Sequence, residues 1–466
     1  MRAGKVVIPL LLLTVFLPLQ AIDFSGKLNL FSSLYLLAEN EGGFLRHQAA
    51  EFACRRLEAR LGIGSRLSPK LSWHLRLDLF AGAVRQADGG PFRESTHLAA
   101  PVGNESLDLS LYEAFVKTED FMFSGLDLTA GKQRIFWGTA DKIGVLDNLN
   151  PLDLAQFFTF SPEHFFARRP QTALNFEYYF SGRSKLQLVL LAQKQLAPLP
   201  AGFNAMVLDL SPGFRYLKVF NNWSEESLSS LNWGLRFTTA LFKLDWGLSW
   251  YRGNHQLAYP VKLKPLTGEM VFIYSGQQVL GLDLAGEISG IGFWAEAGLF
   301  VPQAVEAGIS YAILLEGLPV EVDLRGDLFR STYLKWVVGA DYHFPAGFYL
   351  NLQYLHGFFD EAGFSSFARE NLGRDKGVFF GDLSDYLLAG LEKKFFSEKL
   401  KVRLAAIGEI QSSGTCVLLP ELEYRPRDNF SLQAGLFTPL GSKSAASRFR
   451  TMKNNSLAYL MFKLDF

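Results

Sequence analysis

The sequence predicts an all-β fold: a transmembrane antiparallel β-barrel of about 18 strands, or 16, with short periplasmic turns and long extracellular loops. Three observations carry that expectation. Apolar and polar residues alternate with period two in segment after segment, no run of 18 apolar residues follows residue 21, and short connections take turns with long ones along the chain. A helical span needs about 20 apolar residues, so a closed barrel is the remaining way through a bilayer.

Residues 1–21 read as a signal peptide, with Arg2 and Lys5 as the basic region, Val6 to Leu19 as the apolar region and Ala21 as the small residue before cleavage. Residues 22–466 then form the barrel. Leu57, Ala59, Leu61 and Ile63 alternate with Arg56, Glu58, Arg60 and Gly62; Leu71, Trp73, Leu75, Leu77 and Leu79 alternate with Ser72, His74, Arg76 and Asp78. The same pattern recurs at Leu231, Trp233, Leu235 and Phe237, and at Leu244, Trp246, Leu248 and Trp250. A period of two is that of a strand with one face on each environment. Short connections fall at 67–70, 119–124, 181–184, 239–242, 287–290, 344–348, 396–399 and 426–429. Longer ones lie at 38–52, 85–105, 136–169, 195–228, 253–277, 301–332, 359–383 and 438–453, with one tight exception at 412–414. Segment 301–332 could supply an extra hairpin, and discounting weak segments lowers the count. An even strand number places both ends in the periplasm. The last segment, Leu460, Phe462, Leu464 and Phe466, is similar to the C-terminal signature that the barrel-assembly machinery reads, which makes that machinery an expected partner.

Composition narrows the function. Lys plus Arg and Asp plus Glu number 46 each, so the formal charge is zero and no basic excess points to nucleic acid. Forty-two Phe and 8 Trp fit a lipid-facing surface with aromatic girdles, whose partners would be outer-membrane lipid and lipopolysaccharide. Cys54 and Cys416 fall on the second and sixteenth expected strands, about 19 Å apart at about 4.8 Å per strand. That exceeds the reach of a disulfide, about 7 Å between Cα atoms. The seven His offer neither a catalytic triad nor metal-ligand spacing, so no enzyme, catalytic residue, metal or cofactor is expected.

Residues 131–154, GKQRIFWGTADKIGVLDNLNPLDL, carry a glycine-basic-glutamine strand end, a Trp-Gly pair and an Asn-Pro-Leu-Asp turn. With these features the chain resembles a family of Gram-negative outer-membrane barrels catalogued as a domain of unknown function. It is more loosely similar to alginate-export porins in the same strand end and strand number. The resemblance implies an outer-membrane pore or transporter, and the neutral charge departs from the alginate exporters.

With the apolar face on lipid, Arg60, Arg76, Asp78, Gln133, Arg236, Asp245 and Glu296 point into the lumen. Their mixed signs imply cross-strand pairs and weak ion selectivity. The loop 136–169 is expected to fold inward as a constriction, anchored by Phe157, Phe158, Phe160, Phe165 and Phe166, with Asp141, Asp147, Asp153, Arg168 and Arg169 facing the bore. The expected function is a porin-like channel in the outer membrane for diffusion or facilitated transport of small solutes. Uptake of hydrophobic substrates, an outer-membrane hydrolase and a structural or adhesive barrel are the alternatives.

Overall fold

The computed structural model describes residues 22–38, 49–50, 52–84, 106–141, 143–153, 167–192, 216–221, 231–255, 259–264, 269–315, 318–328, 332–358, 384–410, 415–441 and 455–466. Every named element is a strand: β1 (Asp23–Tyr35), β2 (Phe52–Ser68), β3 (Leu71–Val84), β4 (Ser106–Thr118), β5 (Leu126–Gln133), β6 (Gln171–Ser181), β7 (Ser184–Leu191), β8 (Tyr216–Asn221), β9 (Asn232–Leu241), β10 (Leu244–Asn254), β11 (Tyr259–Lys264) and β12 (Glu269–Tyr274). The second half comprises β13 (Gly276–Ile288), β14 (Ile291–Pro302), β15 (Val305–Leu315), β16 (Leu318–Leu328), β17 (Tyr333–His343), β18 (Phe348–Phe358), β19 (Ser384–Phe395), β20 (Leu400–Glu409), β21 (Cys416–Arg427), β22 (Phe430–Leu440) and β23 (Leu457–Asp465).

Eighteen of these strands make one antiparallel sheet in which each pairs with its neighbours around the ring. The sheet closes where β1 meets β23, from Lys27 opposite Asp465 to Tyr35 opposite Leu457. Closure matters physically because it leaves no edge with unpaired backbone groups. The closing seam continues past the strands: Phe466 donates its N–H to the Gly26 carbonyl at 2.9 Å, and Gly26 lacks a side chain where the Phe466 ring lies.

The remaining strands, β8, β11, β12, β15 and β16, lie in three of the long connections and form a separate mixed sheet ordered β16-β15-β11-β12-β8. The extra hairpin in 301–332 therefore exists as β15–β16, but it pairs with other loop strands and the wall count stays at 18.

Connections at one end are tight. Phe242 and Lys243 (φ 56° and 65°) join β9 to β10, and Ser289 and Gly290 (φ 55° and 81°) join β13 to β14. Positive φ at both central residues is the turn whose twist matches that of the flanking strands. In the 119–125 turn, the Gly125 N–H and then Lys70 hold the Asp120 carboxyl below its ordinary range. At the other end the connections are long, except for the short one between β20 and β21.

The period-two alternation maps onto the two faces of the wall. Leu248, Leu280, Leu282, Leu299, Val338, Leu404, Leu422 and Leu460 are exposed on the outside. On the inward phase, Glu58, Asp78, Glu113, Asn175, Gln187, Asp283, Glu296, Gln353 and Glu423 are buried. Apolar outside and polar inside is the arrangement a hydrocarbon solvent requires of a barrel. Cys54 and Cys416 are free.

Candidate functional site

After β5 the chain does not continue along the wall. Residues 134–141 and 143–150 run into the lumen as a tongue, and its apolar side chains Ile135, Trp137, Ile143, Val145, Leu146 and Leu149 share one buried cluster with wall residues. The wall contributes Ala173 from β6, Val189 and Leu191 from β7, Tyr251 from β10, Val279 from β13, Phe300 from β14, Val337 from β17, Leu355 from β18 and Tyr386 from β19. Burial of large apolar side chains at about 1.5–3 kcal/mol each favours this seat.

Glycines make room on the wall side. A β-carbon at Gly234 would collide with Trp137, one at Gly281 with Leu146, and one at Gly298 with Val145. All three lie on the inward phase of their strands, where a larger residue would hold the tongue off the wall.

One carboxylate organises the tongue. Glu296, on β14 and buried, accepts four backbone N–H groups: Thr139 at 2.5 Å and Ala140 at 2.7 Å on Oε1, and Val145 at 2.6 Å and Leu146 at 3.2 Å on Oε2. Both arms of the tongue thus wrap one side chain of β14, six strands round the ring from β5. The wrap needs Gly138 at φ 98°, in a region that L side chains disfavour, and a β-carbon there would also meet Glu296. Four donors offset the desolvation of a buried carboxylate. Two amides add to the hold. The Trp137 indole donates to Gln187 Oε1 at 2.9 Å, and Gln353 Nε2 donates to the Ile143 carbonyl at 3.3 Å.

The base of the tongue is stapled by the polar residues of the motif. Asn150 donates to the Ile135 carbonyl and, at 2.9 Å, to Asp147; Arg134 meets Asp147 at 2.5 Å. Arg168 lies 3.8 Å from Asp147 and donates to the Asn150 carbonyl at 3.1 Å. Glu113 joins this base to the wall by accepting the Arg134 N–H at 3.0 Å and Arg76 at 2.7 Å. The glycine-basic-glutamine strand end has its own role: Gly131 (φ 129°) closes on the β4 backbone, and Gln133 donates to the Thr129 and Ala173 carbonyls.

These positions correct parts of the sequence reading. Asp147 and Arg168 do not face the bore; they are consumed in the buried base, because an unpaired charge there would be costly. Asp141 is exposed on the tongue, and Arg169 is exposed and paired with Asp153 at 3.1 Å. Phe157, Phe158, Phe160, Phe165 and Phe166, expected as anchors, lie outside the described residues, as do residues 1–21. The hold observed among the described residues comes from Glu296, Gln187, Gln353 and the apolar cluster. The sequence reading missed Glu113, Arg134, Asn150 and the three wall glycines. Glycine at inward positions opposite an apolar loop is the signal that could have found the last.

Along the lumen wall, Arg60 forms a two-point pair with Asp78 at 2.6 and 2.7 Å, and Arg236 reaches Asp283 at 2.7 Å. Asp245 is exposed on the inward phase of β10, opposite Ala240 and Ala285. Both signs are present, and in three cross-strand pairs they differ in reach. The side chains of Arg60, Arg76 and Lys401 are 28%, 33% and 25% exposed, whereas their partners Asp78, Glu113 and Glu423 are 2%, 8% and 4% exposed. The acids lie against the wall and the long basic side chains extend over them. Among the described residues no group of three or more His, Cys, Asp or Glu is placed to hold a metal ion.

No protein-family model and no curated protein sequence matches the chain. Among solved structures it is similar to OccAB3 of Acinetobacter baumannii, with 10% identity over 96% of this chain and 99% of that one and a TM-score of 0.48. It is similar also to a mutant porin of Rh. blastica (11% identity, 96% and 100% covered, TM-score 0.40) and to OmpF of Salmonella typhi in complex with daunomycin (10%, 96% and 97%, 0.40). At such values the likeness carries no weight of its own. The chain's own strand pairing is what makes it a closed 18-stranded antiparallel β-barrel, with a tongue from the β5–β6 connection seated against its inner wall.

Proposed function

We propose that the protein is a porin-like channel of the outer membrane, passing small solutes by diffusion, with the tongue as its constriction and a preference for anions. The observation that carries this reading is the seat of the tongue: a segment that leaves the wall after β5 and is fastened inside the barrel to Glu296 on β14, six strands round the ring, narrows the bore. An apolar outer band and a polar interior support a membrane-spanning barrel, and the signal-peptide reading and the family resemblance agree with an outer-membrane location. The tight turns would then face the periplasm and the long connections the exterior. Anion preference follows from the unequal reach of the ion pairs, because a permeating ion meets the exposed basic ends before the sheltered carboxylates.

Reconstitution into planar bilayers tests the reading. Stable conductance steps are expected, with a reversal potential under a KCl gradient that favours chloride. A barrel that inserts yet gives no steps would refute the channel; steps that favour potassium would refute the anion preference.

A further inference from the structure

Between the base of the tongue and the inner faces of β6, β7 and β9 lies a cavity of ≈ 220 Å³, lined among others by Arg134, Phe136, Glu177, Lys185 and Arg236. We propose that this cavity is a binding station for small organic anions that carry a flat apolar ring. The proposal deepens the channel reading by naming the class of solute that pauses beneath the constriction, and it rests on that reading for its place in transport.

The charge of the lining comes first. Three cations face one carboxylate, Glu177, which Lys185 meets at 2.5 Å. The acids that pair with Arg134 and Arg236 are Asp147 and Asp283, both buried, and neither lines the cavity. Each guanidinium also donates to a tongue carbonyl, Arg134 to Ile135 and Arg236 to Phe136, so what a solute in the cavity meets is a lining with three cationic side chains against one acidic one. Planar guanidinium forks suit a carboxylate, which accepts two parallel hydrogen bonds.

The apolar half of the site is Phe136. In the outgoing arm of the tongue Ile135 and Trp137 turn to the wall, so Phe136 between them turns to the lumen, where it is 71% exposed. It is held in place. The Arg134 guanidinium lies 3.9 Å from the ring centroid, and Arg236 donates to the Phe136 carbonyl at 3.5 Å. A fixed aromatic ring beside a cluster of cations binds a molecule with an apolar face at one end and negative charge at the other. Gln187 and Asn175, joined at 2.9 Å, supply polar contacts on the wall side.

Benzoate is the probe, with benzyl alcohol and benzylamine as its neutral and cationic counterparts. Titrated calorimetrically into the folded barrel in detergent, benzoate should bind and the other two should not. Phe136→Ala, at an exposed position, and Lys185→Gln, at a half-exposed one, should each weaken benzoate binding about tenfold, the scale of one aromatic or charge-assisted contact. No benzoate binding, equal binding of benzyl alcohol, or binding indifferent to both substitutions would overturn the proposal. Chloride conductance measured in parallel separates the two readings: benzoate binding that depends on Phe136 in a barrel without conductance would sink the channel and leave the station standing.

Discussion

Replacing Glu296 by Gln isolates the fastening of the tongue. The two side chains are nearly the same size, so the apolar cluster and the wall hydrogen bonds are untouched. In the parent, each carboxylate oxygen accepts two backbone N–H groups, Thr139 and Ala140 on one and Val145 and Leu146 on the other. The amide keeps one oxygen and can satisfy one of these pairs. Its NH₂ then points at the other pair, donor against donor, and two buried N–H groups lose their acceptor. At about 1–3 kcal/mol for each orphaned buried group, the docked tongue loses roughly 2–6 kcal/mol. That loss falls on a segment whose apolar gain is already opposed by the cost of ordering its backbone. The barrel wall should fold as before, while the tongue populates undocked states. Single-channel recordings should show more open-channel noise, larger conductance substates and entry of larger sugars in vesicle-swelling assays. Glu423→Gln is the control: Glu423 is an equally buried lumen acid, but its partners are the side chains of Lys401 and Arg425 and no tongue amide. Its noise should match the parent. Glu296→Gln channels indistinguishable from the parent in conductance and noise would refute the reasoning that this carboxylate holds the constriction.

Two further predictions address the wall. Leu248 is 61% exposed on the outer phase of β10, so Leu248→Arg should lower barrel stability in lipid vesicles by about 2–4 kcal/mol, and Leu248→Phe should be near neutral; similar urea midpoints for the two would mean that this face does not meet hydrocarbon. At the seam, a β-carbon on Gly26 would strike the Phe466 ring, so Gly26→Val should reduce the fraction that runs as the compact, heat-modifiable form in detergent gels. Deleting Phe466 should reduce it too, and combining both changes should cost less than their sum; fully additive losses would separate the two residues.

The sequence by itself determined the barrel. A period-two pattern assigns each strand an apolar and a polar face, and the alternation of tight and long connections sets the strand order, so residues such as Leu75 and Arg76 could be sorted to opposite faces from their neighbours alone. The 131–154 segment stood out by its resemblance to a family of outer-membrane barrels, carried by residues such as Gly131, Gln133, Trp137, Gly138 and Asn150. Tertiary structure decided what those residues do. Glu296 stands about 150 residues from the amides it binds, and Gln353 is farther still from Ile143. No local periodicity records contacts of that range. The Phe cluster drew the sequence reading because it is dense and contiguous, whereas the observed seat is built from single residues scattered over many strands. The sign of the bore was hidden for a related reason. Composition counts charges equally, but only the fold sets which end of an ion pair reaches the water, and in the Arg60–Asp78 and Arg76–Glu113 pairs it is the basic end.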